Sequence, residues 1–472
     1  MSERYAFTVP SGSARALAAS APAAAEGPAG ATQVRTNERN EEEGRTAFTW
    51  TVVFTAILFL RPQDVIPPLE FLHLAEVSAI VALTALVFGQ LQRRRPVTRW
   101  TPELLGVLAF GAIMLATTPF SIWMGGSLSV FTDLYAKVIL VYLLAVNVLD
   151  TPARLERLTW VLVLSVGYVG FRAVLDYVRG VNLIGNGTRV MGSIGGIMQN
   201  PNDLALNMVT FLPFAAFIAM RPVSPLKRLI AAGCAVSMLG AIVASGSRGG
   251  FLGFAAMMLV LAAFAIRRRP AFVVAGALGM ICALPILPDS YWRRIESITD
   301  SSKDDYQSED QRKNLFGESF DAFVQYPLTG VGVGEFKDWN PEKRLEAWHE
   351  SHNVWLQVAA EMGIFGFAVF AFLVFRAFAA TIRTRRLLRG SAGRGRGGPP
   401  LDVSQSDKAL LDSHSAAMCA SLVGWFVCAF FASVAYNWTF YYLLVLAAAP
   451  RDILRARLSF SRAPSSAEEL AA

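Results

Sequence analysis

This chain is poor in the residues on which many metal sites and disulfide-linked folds depend. Only 17% of its 472 residues are charged, and it has four cysteines and four histidines. The cysteines lack the spacing of a metal site and all lie in apolar segments, so we interpret them as packing residues. They are Cys234, Cys282, Cys419 and Cys428. A zinc site built on cysteine and a disulfide framework are therefore not expected.

The chain instead has many long apolar segments. Segments of about 20 apolar residues are typical of membrane-spanning helices. The sequence predicts an all-α polytopic membrane protein with about twelve such helices. They are expected at 47–60, 71–91, 103–123, 129–149, 157–177, 203–220, 227–245, 248–266, 271–288, 353–380, 415–435 and 438–450.

Three segments outside this membrane domain, which covers 47–450, have a different composition. Residues 1–46 are rich in Ala, Ser, Gly and Glu and have no apolar core, which predicts a disordered tail and argues against a secretory signal. Residues 381–414 are rich in Arg and Gly and are expected to be a linker, and 451–472 are expected to form the C-terminal tail.

The basic residues indicate how the chain is oriented. The net charge of +7 would suggest nucleic acid, but the Lys and Arg residues are divided unequally among the loops. One alternating set of loops, with both tails, has 28 of the 43, and the opposite set has 12. By the positive-inside rule, both termini are cytoplasmic and no nucleic-acid partner is expected. The outward segments are 61–70, 178–202, 246–248 and 289–352.

Several charged residues lie inside the predicted helices, where each costs about 2.5–3.5 kcal/mol on insertion scales. On the predicted topology they lie in the outward halves of their helices. Two pairs have i, i+4 spacing and can satisfy each other, which would stabilise the bundle. The one-sided placement instead favours a water-accessible cavity open to the outside. The residues are Glu76, Asp133, Lys137, Arg172, Asp176 and Glu361.

Two short outward segments have residues suited to a ligand. Arg248 lies in a turn of small residues, and a guanidinium group offers a planar fork of donors that fits phosphate oxygens. It could also anchor in lipid headgroups. Asn202 or Asp203 can cap the helix that follows Pro201, and that structural role is at least as well supported as a functional one.

The outer loop 289–352 is the largest polar segment, with 14 acidic and 8 basic residues and a net charge of −6. A helical pattern begins at Ser308 and places Arg312 in its first turn. The glycines of 327–336 miss the G-x-G-x-x-G spacing, so they predict a turn back to the membrane rather than a dinucleotide site.

His352 closes this loop, just before an apolar helix that contains Glu361. An imidazole titrates near neutral pH, so His352 is a candidate general base, although a structural histidine at a helix start remains the alternative. His349 and His352 lack further metal ligands, and no metal is expected.

In this order, these residues resemble the O-antigen ligase and polymerase superfamily of bacterial membrane proteins. The resemblance is best over roughly 195–370. Its motifs are Asn200-Pro201-Asn202, Ser247-Arg248-Gly249, Arg312, Pro327-Leu328-Thr329-Gly330-Val331-Gly332, His352-Asn353 and Glu361-Met362-Gly363. The first half of the chain resembles the family in helix count and in Arg61-Pro62-Gln63.

The resemblance implies an inverting, metal-independent glycosyltransferase of the inner membrane that needs no cofactor. Its donor would be a glycan on undecaprenyl diphosphate, held by Arg248 and Arg312, and His352 would take the proton of the acceptor hydroxyl. Arg293, Arg294 and Lys313 are further candidate cations. Possible supporting residues are Glu361, Asn202, Arg172, Asp176, Lys137 and Asp133.

The resemblance leaves the acceptor open. Polymerases extend glycan on its lipid carrier, ligases join it to lipid A-core, and some members glycosylate proteins. We favour a polymerase for exopolysaccharide or O-antigen, with a polysaccharide flippase and a chain-length regulator as expected partners beside the lipid bilayer. The rival from another class is a secondary transporter or lipid-linked glycan flippase, which the outward charges and the lack of an inverted repeat disfavour.

Overall fold

A computed structural model of the chain describes residues 44–266, 308–393 and 403–460, except positions 186, 194, 195 and 197, together with positions 270, 271, 274, 292 and 296. Most of the predicted helix at 271–288, Arg293, Arg294 and most of the two tails lie outside the described residues.

The described part of the chain is almost entirely helical. Its helices are numbered in chain order, and two short antiparallel strands, β1 (Leu183–Ile184) and β2 (Arg189–Val190), follow the fifth helix. The helices are α1 (Arg45–Leu60), α2 (Leu74–Gln92), α3 (Pro102–Thr117), α4 (Met124–Val148), α5 (Pro152–Arg179), α6 (Pro201–Met220), α7 (Pro225–Ser245), α8 (Arg248–Ala265), α9 (Ser308–Gln325), α10 (Val354–Gly393), α11 (Gln405–Ala429) and α12 (Trp438–Phe460).

The prediction of an all-α polytopic membrane protein is confirmed. Nine of the helical segments in the described ranges are long and apolar enough to cross a membrane: α2 to α8, α10 and α11, where α3 is extended by a short 3₁₀ turn to the 19-residue span Pro102–Phe120. Helix α1 is apolar but has only 16 residues. Helix α12 begins as predicted but continues to Phe460, and α10 and α11 extend into the segment predicted as a linker. Arg and Leu, which are frequent around 381–390, are good helix formers, so basic composition alone did not end the helix.

Helix α6 is the centre of the bundle. It is buried along most of its length and packs against α7, α8 and α11. Small residues allow the close approach: a Cβ atom added to Gly424 of α11 would lie 2.7 Å from Val209 of α6. The packing around α6 therefore fixes the position of its first residues at one end of the bundle.

Helix α10 is broken at Gly363, which has φ 65° and ψ −163°. The glycine-rich loop before α10 bonds to the exposed backbone there: the N–H groups of Val331 and Gly332 donate to the carbonyls of Ala360 (2.9 Å) and Glu361 (3.2 Å). A Cβ atom on Gly330 would lie 2.2 Å from the Glu361 carbonyl carbon, so glycine is required. The loop returns to the membrane domain as predicted, and its backbone groups are satisfied by the helix break.

The predicted i, i+4 charge pairs do not form. Residues Phe131–Tyr135 of α4 make a π-helical turn, and no ion pair joins Asp133 to Lys137. Lys137 instead lies 3.9 Å from Glu76 of α2. On α5, the Asp176 carboxylate accepts a hydrogen bond from Asn182 at 2.8 Å, and no ion pair joins it to Arg172.

A buried charge cluster lies at the end of the bundle opposite the start of α6, and it was not predicted from the sequence. Glu103, with no exposed surface, accepts hydrogen bonds from Arg376 of α10 at 2.6 Å and from Arg451 of α12 at 2.6 Å. Arg451 also binds Asp452 at 2.7 Å. The charges inside the bundle are therefore not confined to one side, which removes that argument for an outward cavity.

Candidate functional site

One cavity of about 350 Å³ lies where α6 and α8 begin. Gln311 and Arg312, the fourth and fifth residues of α9, contribute to its wall, together with His352, which lies two residues before α10. The β1–β2 hairpin closes one side. The lining residues are Ile184, Gly185, Arg189, Asn200, Pro201, Asn202, Arg248, Gln311, Arg312 and His352. Four of the predicted site residues, Asn202, Arg248, Arg312 and His352, are thus brought together.

The start of α6 differs from the prediction in its cap. Asn200, not Asn202 or Asp203, is the cap: its side-chain oxygen accepts from the Asn202 N–H at 2.8 Å. Pro201 occupies the first helical position, so the preceding residue must cap the helix. The Asn202 side chain is thereby left for other contacts.

Asn202 connects three segments of the cavity wall. Its side-chain oxygen accepts from Arg189 Nη2 at 2.9 Å and from Ser247 Oγ at 2.8 Å. Arg189 Nε donates in addition to the Ser245 carbonyl at 3.0 Å. The hairpin, α6 and the α7–α8 turn are therefore held in one arrangement, and the Arg189 side chain is oriented at the cavity.

Arg248 is the first residue of α8. Gly246, with φ 55°, ends α7, and Ser247 caps α8 by accepting from the Gly250 N–H at 3.1 Å. The neighbouring glycines serve helix packing rather than close approach of a ligand, because a Cβ atom on Gly250 would lie 2.5 Å from Ala205. The tight turn thus fixes where the Arg248 side chain begins.

Arg312 lies in the first turn of α9, as predicted, and its guanidinium group lies over the ring of Phe431 at 5.5 Å. The adjacent Gln311 donates to Glu346 at 2.9 Å, which joins α9 to the segment leading to His352. Lys313 is exposed and lies 3.6 Å from Asp310, away from the cavity.

His352 is held in an unusual backbone conformation. Its φ of 48° is in the left-handed region, which costs a non-glycine residue about 1–3 kcal/mol and is most common at functional sites. Its N–H donates to Ser433 Oγ at 3.0 Å. Asn353 caps α10, accepting from the N–H groups of Trp355 (2.9 Å) and Leu356 (3.1 Å). The helix start therefore fixes the position of the imidazole.

The cavity is electropositive although the outer loop is acidic. Three guanidinium groups and no carboxylate occur among its described lining residues. The N-termini of α6 and α8 each add the equivalent of roughly half a positive charge, which also favours a bound anion. Burial, and then the positive charge of Arg312, lowers the pKa of His352 to about 4. At neutral pH the imidazole is uncharged and able to accept a proton.

The remaining predicted residues lie elsewhere. Arg172, Asp176, Lys137 and Asp133 are not among the residues lining the cavity. Glu361 is 5% exposed and accepts from Tyr436 OH at 2.7 Å and from the Gly334 N–H at 2.9 Å. It holds the glycine-rich loop in place. Arg189 was not predicted from the sequence, although it is an arginine on an outward segment, as Arg248 is.

Comparison with known proteins gave one family. A sequence model of the O-antigen ligase family matches residues 233–371, a range that contains Arg248, Arg312, His352 and Glu361. No curated protein matches the chain. The family match confirms the resemblance to the O-antigen ligase and polymerase superfamily. Arg189 and Asn202 lie outside the matched range.

Proposed function

We propose that this polytopic membrane protein of the O-antigen ligase and polymerase superfamily transfers a glycan from undecaprenyl diphosphate to an acceptor sugar hydroxyl. The observation that carries the proposal is the convergence of three arginines and His352 on one cavity at the starts of α6 and α8. A diphosphate is the part of the donor that this positive field would bind.

In the proposed reaction, the acceptor oxygen attacks the anomeric carbon as the bond to the diphosphate breaks. The electron pair of that bond goes to the departing phosphate oxygen, where Arg248, Arg312 and Arg189 would stabilise the developing charge. His352 takes the proton of the acceptor hydroxyl. Attack on the face opposite the leaving group inverts the configuration, and the arginines supply the positive charge that a metal would otherwise give.

The low pKa of His352 suits this order of events. Burial and the neighbouring arginines disfavour the imidazolium form of His352. A bound diphosphate would bring negative charge beside the ring, and a nearby negative charge raises the pKa of an imidazole. His352 would therefore become a stronger base once the donor is in place.

We propose that the cavity opens on the periplasmic face of the inner membrane. The segments that form its wall all belong to the predicted outward set, and the unequal division of 28 and 12 basic residues supports this orientation. A periplasm-only reporter fused after Asp300 is expected to be active, and one fused between 390 and 400 is expected to be silent. The reverse pattern would refute the orientation.

We favour a polymerase over a ligase, and the glycan of a deletion strain distinguishes the two. Loss of the polymerase should abolish long chains while a single repeat unit is still transferred to its acceptor. Unattached glycan of full length would instead identify a ligase of lipid A-core. Unchanged surface and protein-linked glycan would contradict the proposed glycosyl transfer itself.

A further inference from the structure

The exposed face of α9 changes character halfway along the helix. Its first half exposes Asp310, Lys313 and Gly317. The second half exposes Phe320 and Val324, each 57% accessible, and Leu328 continues this apolar stripe just beyond the helix at 58%. Asp321 and Gln325 are exposed along one flank of the stripe. Side chains spaced by three or four residues share one side of a helix. The exposed side of α9 is thus polar at its beginning, and in its second half it has an apolar stripe with a polar flank.

Contacts with α10 fix where the end of the apolar stripe lies along that membrane helix. The Ile364 N–H donates to the Pro327 carbonyl at 2.8 Å, and a Cβ atom on Gly363 would lie 2.6 Å from the carbonyl carbon of Leu328. Leu328 is therefore level with the break in α10. Directly after the break, Ile364 is 43% exposed and Phe365 is 57% exposed.

The length of α10 indicates where the break at Gly363 lies relative to the bilayer. Its other end has Arg383 and Arg386 exposed, which suits a membrane–water boundary. A helix crosses the hydrocarbon core with about 20 residues. Counting back from Arg383 by that length reaches Gly363. The exposed apolar residues at 364 and 365 are then the first in contact with acyl chains, and Leu328 is beside them.

We propose that α9 is an oblique interfacial helix whose second half is immersed in the acyl chains of the adjacent leaflet through Phe320, Val324 and Leu328. The apolar stripe is continuous with the lipid-facing surface of α10, and this continuity selects lipid as its partner. Arg312 precedes Phe320 by eight residues, or about 12 Å of helix. The tilted helix thus holds the guanidinium group near the level of the lipid phosphates.

Spin labels on α9 test the immersion directly. Single cysteines would replace Phe320, Val324, Lys313 and Gly317 in the full chain with its four native cysteines changed to alanine, reconstituted in lipid nanodiscs. Labels at 320 and 324 should collide more with oxygen, which concentrates among acyl chains, and less with a water-soluble nickel chelate. Labels at 313 and 317 should show the opposite. Equal exposure to the nickel chelate at all four positions, or protection from both reagents at 320 and 324, would overturn the proposal.

Substitutions provide a second test that also rests on the proposed function. Phe320→Asp places a charge where the acyl chains begin and should raise KM for the lipid-linked donor about fivefold with kcat unchanged. Gly317→Asp is the matched control, because a Cβ atom there meets nothing within 4 Å, and its KM should not change. Equal KM values in both variants would refute the link to donor binding. Inactivity of the unmodified protein would refute the glycosyl transfer and leave the spin-label result standing.

Discussion

Replacing His352 with alanine is expected to lower kcat by about 10²–10⁴-fold, the usual contribution of a general base. Donor binding should persist, because Arg189, Arg248 and Arg312 remain. The measurement is turnover of purified protein with undecaprenyl-diphosphate glycan, together with donor binding by the inactive variant. His349→Ala is the control: that side chain is exposed, and its Nδ1 lies 3.0 Å from the Ala347 carbonyl. Full turnover without His352, or an inactive His349 variant, would show that the base was assigned wrongly.

The pH dependence distinguishes a base from a residue that only supports the helix start. A base must be unprotonated, and the pKa of His352 is lowered to about 4 in the free protein. As pH falls through 6.5, kcat/KM should therefore stay level, and it should drop only toward pH 4. The acid limb of kcat should lie at higher pH, because bound diphosphate raises the pKa. An acid limb of kcat/KM near 6.5, or one that survives in the alanine variant, would contradict this assignment.

Replacing Arg312 or Arg248 with lysine should abolish most activity although the charge is kept. Lysine supplies a single ammonium group where arginine supplies a planar fork, and a hydrogen bond to a charged group contributes about 1.5–3 kcal/mol, or roughly 10- to 150-fold. The expected result is a fall of that size in kcat/KM at normal membrane expression. Arg189→Lys should behave similarly, because it also loses the bonds to Asn202 and Ser245.

Lys313 is the matched control for the arginines. It neighbours Arg312 in sequence but is exposed and pairs with Asp310. Lys313→Gln removes a positive charge from the same helix turn, so unchanged activity would show that the position of the charge matters and not the total. Near-normal glycan synthesis in any arginine-to-lysine variant would remove that arginine from the donor site.

The parts of the site that the sequence predicted are those with a local signal. Arg248 was identified because an arginine on an outward turn departs from the positive-inside rule, and His352 because an imidazole begins an apolar helix. The helix pattern from Ser308 also placed Arg312 correctly. These signals depend on neighbours in the chain, so periodicity and charge were sufficient to find them.

The parts that the sequence missed depend on contacts between distant segments. Asn202 could be read as a cap, but its partners Arg189 and Ser247 come from other elements. Lys137 lies beside Glu76 of another helix and does not pair with Asp133 of its own helix. Partners separated by many residues leave no periodic pattern in the chain, and a single sequence gives no other indication of them.

The buried cluster around Glu103 has a consequence for the order in which the chain is assembled. Glu103 belongs to an early helix, whereas Arg376 follows 273 residues later and Arg451 348 residues later. At about 5–20 residues per second, the ribosome needs roughly 17–70 s to make the second interval. During that time the carboxylate lacks its final partner, and an uncompensated charge is costly among lipids. We therefore expect the N-terminal helices to reach their stable arrangement only after the last helix has been synthesised, which would make completion of translation a checkpoint for folding.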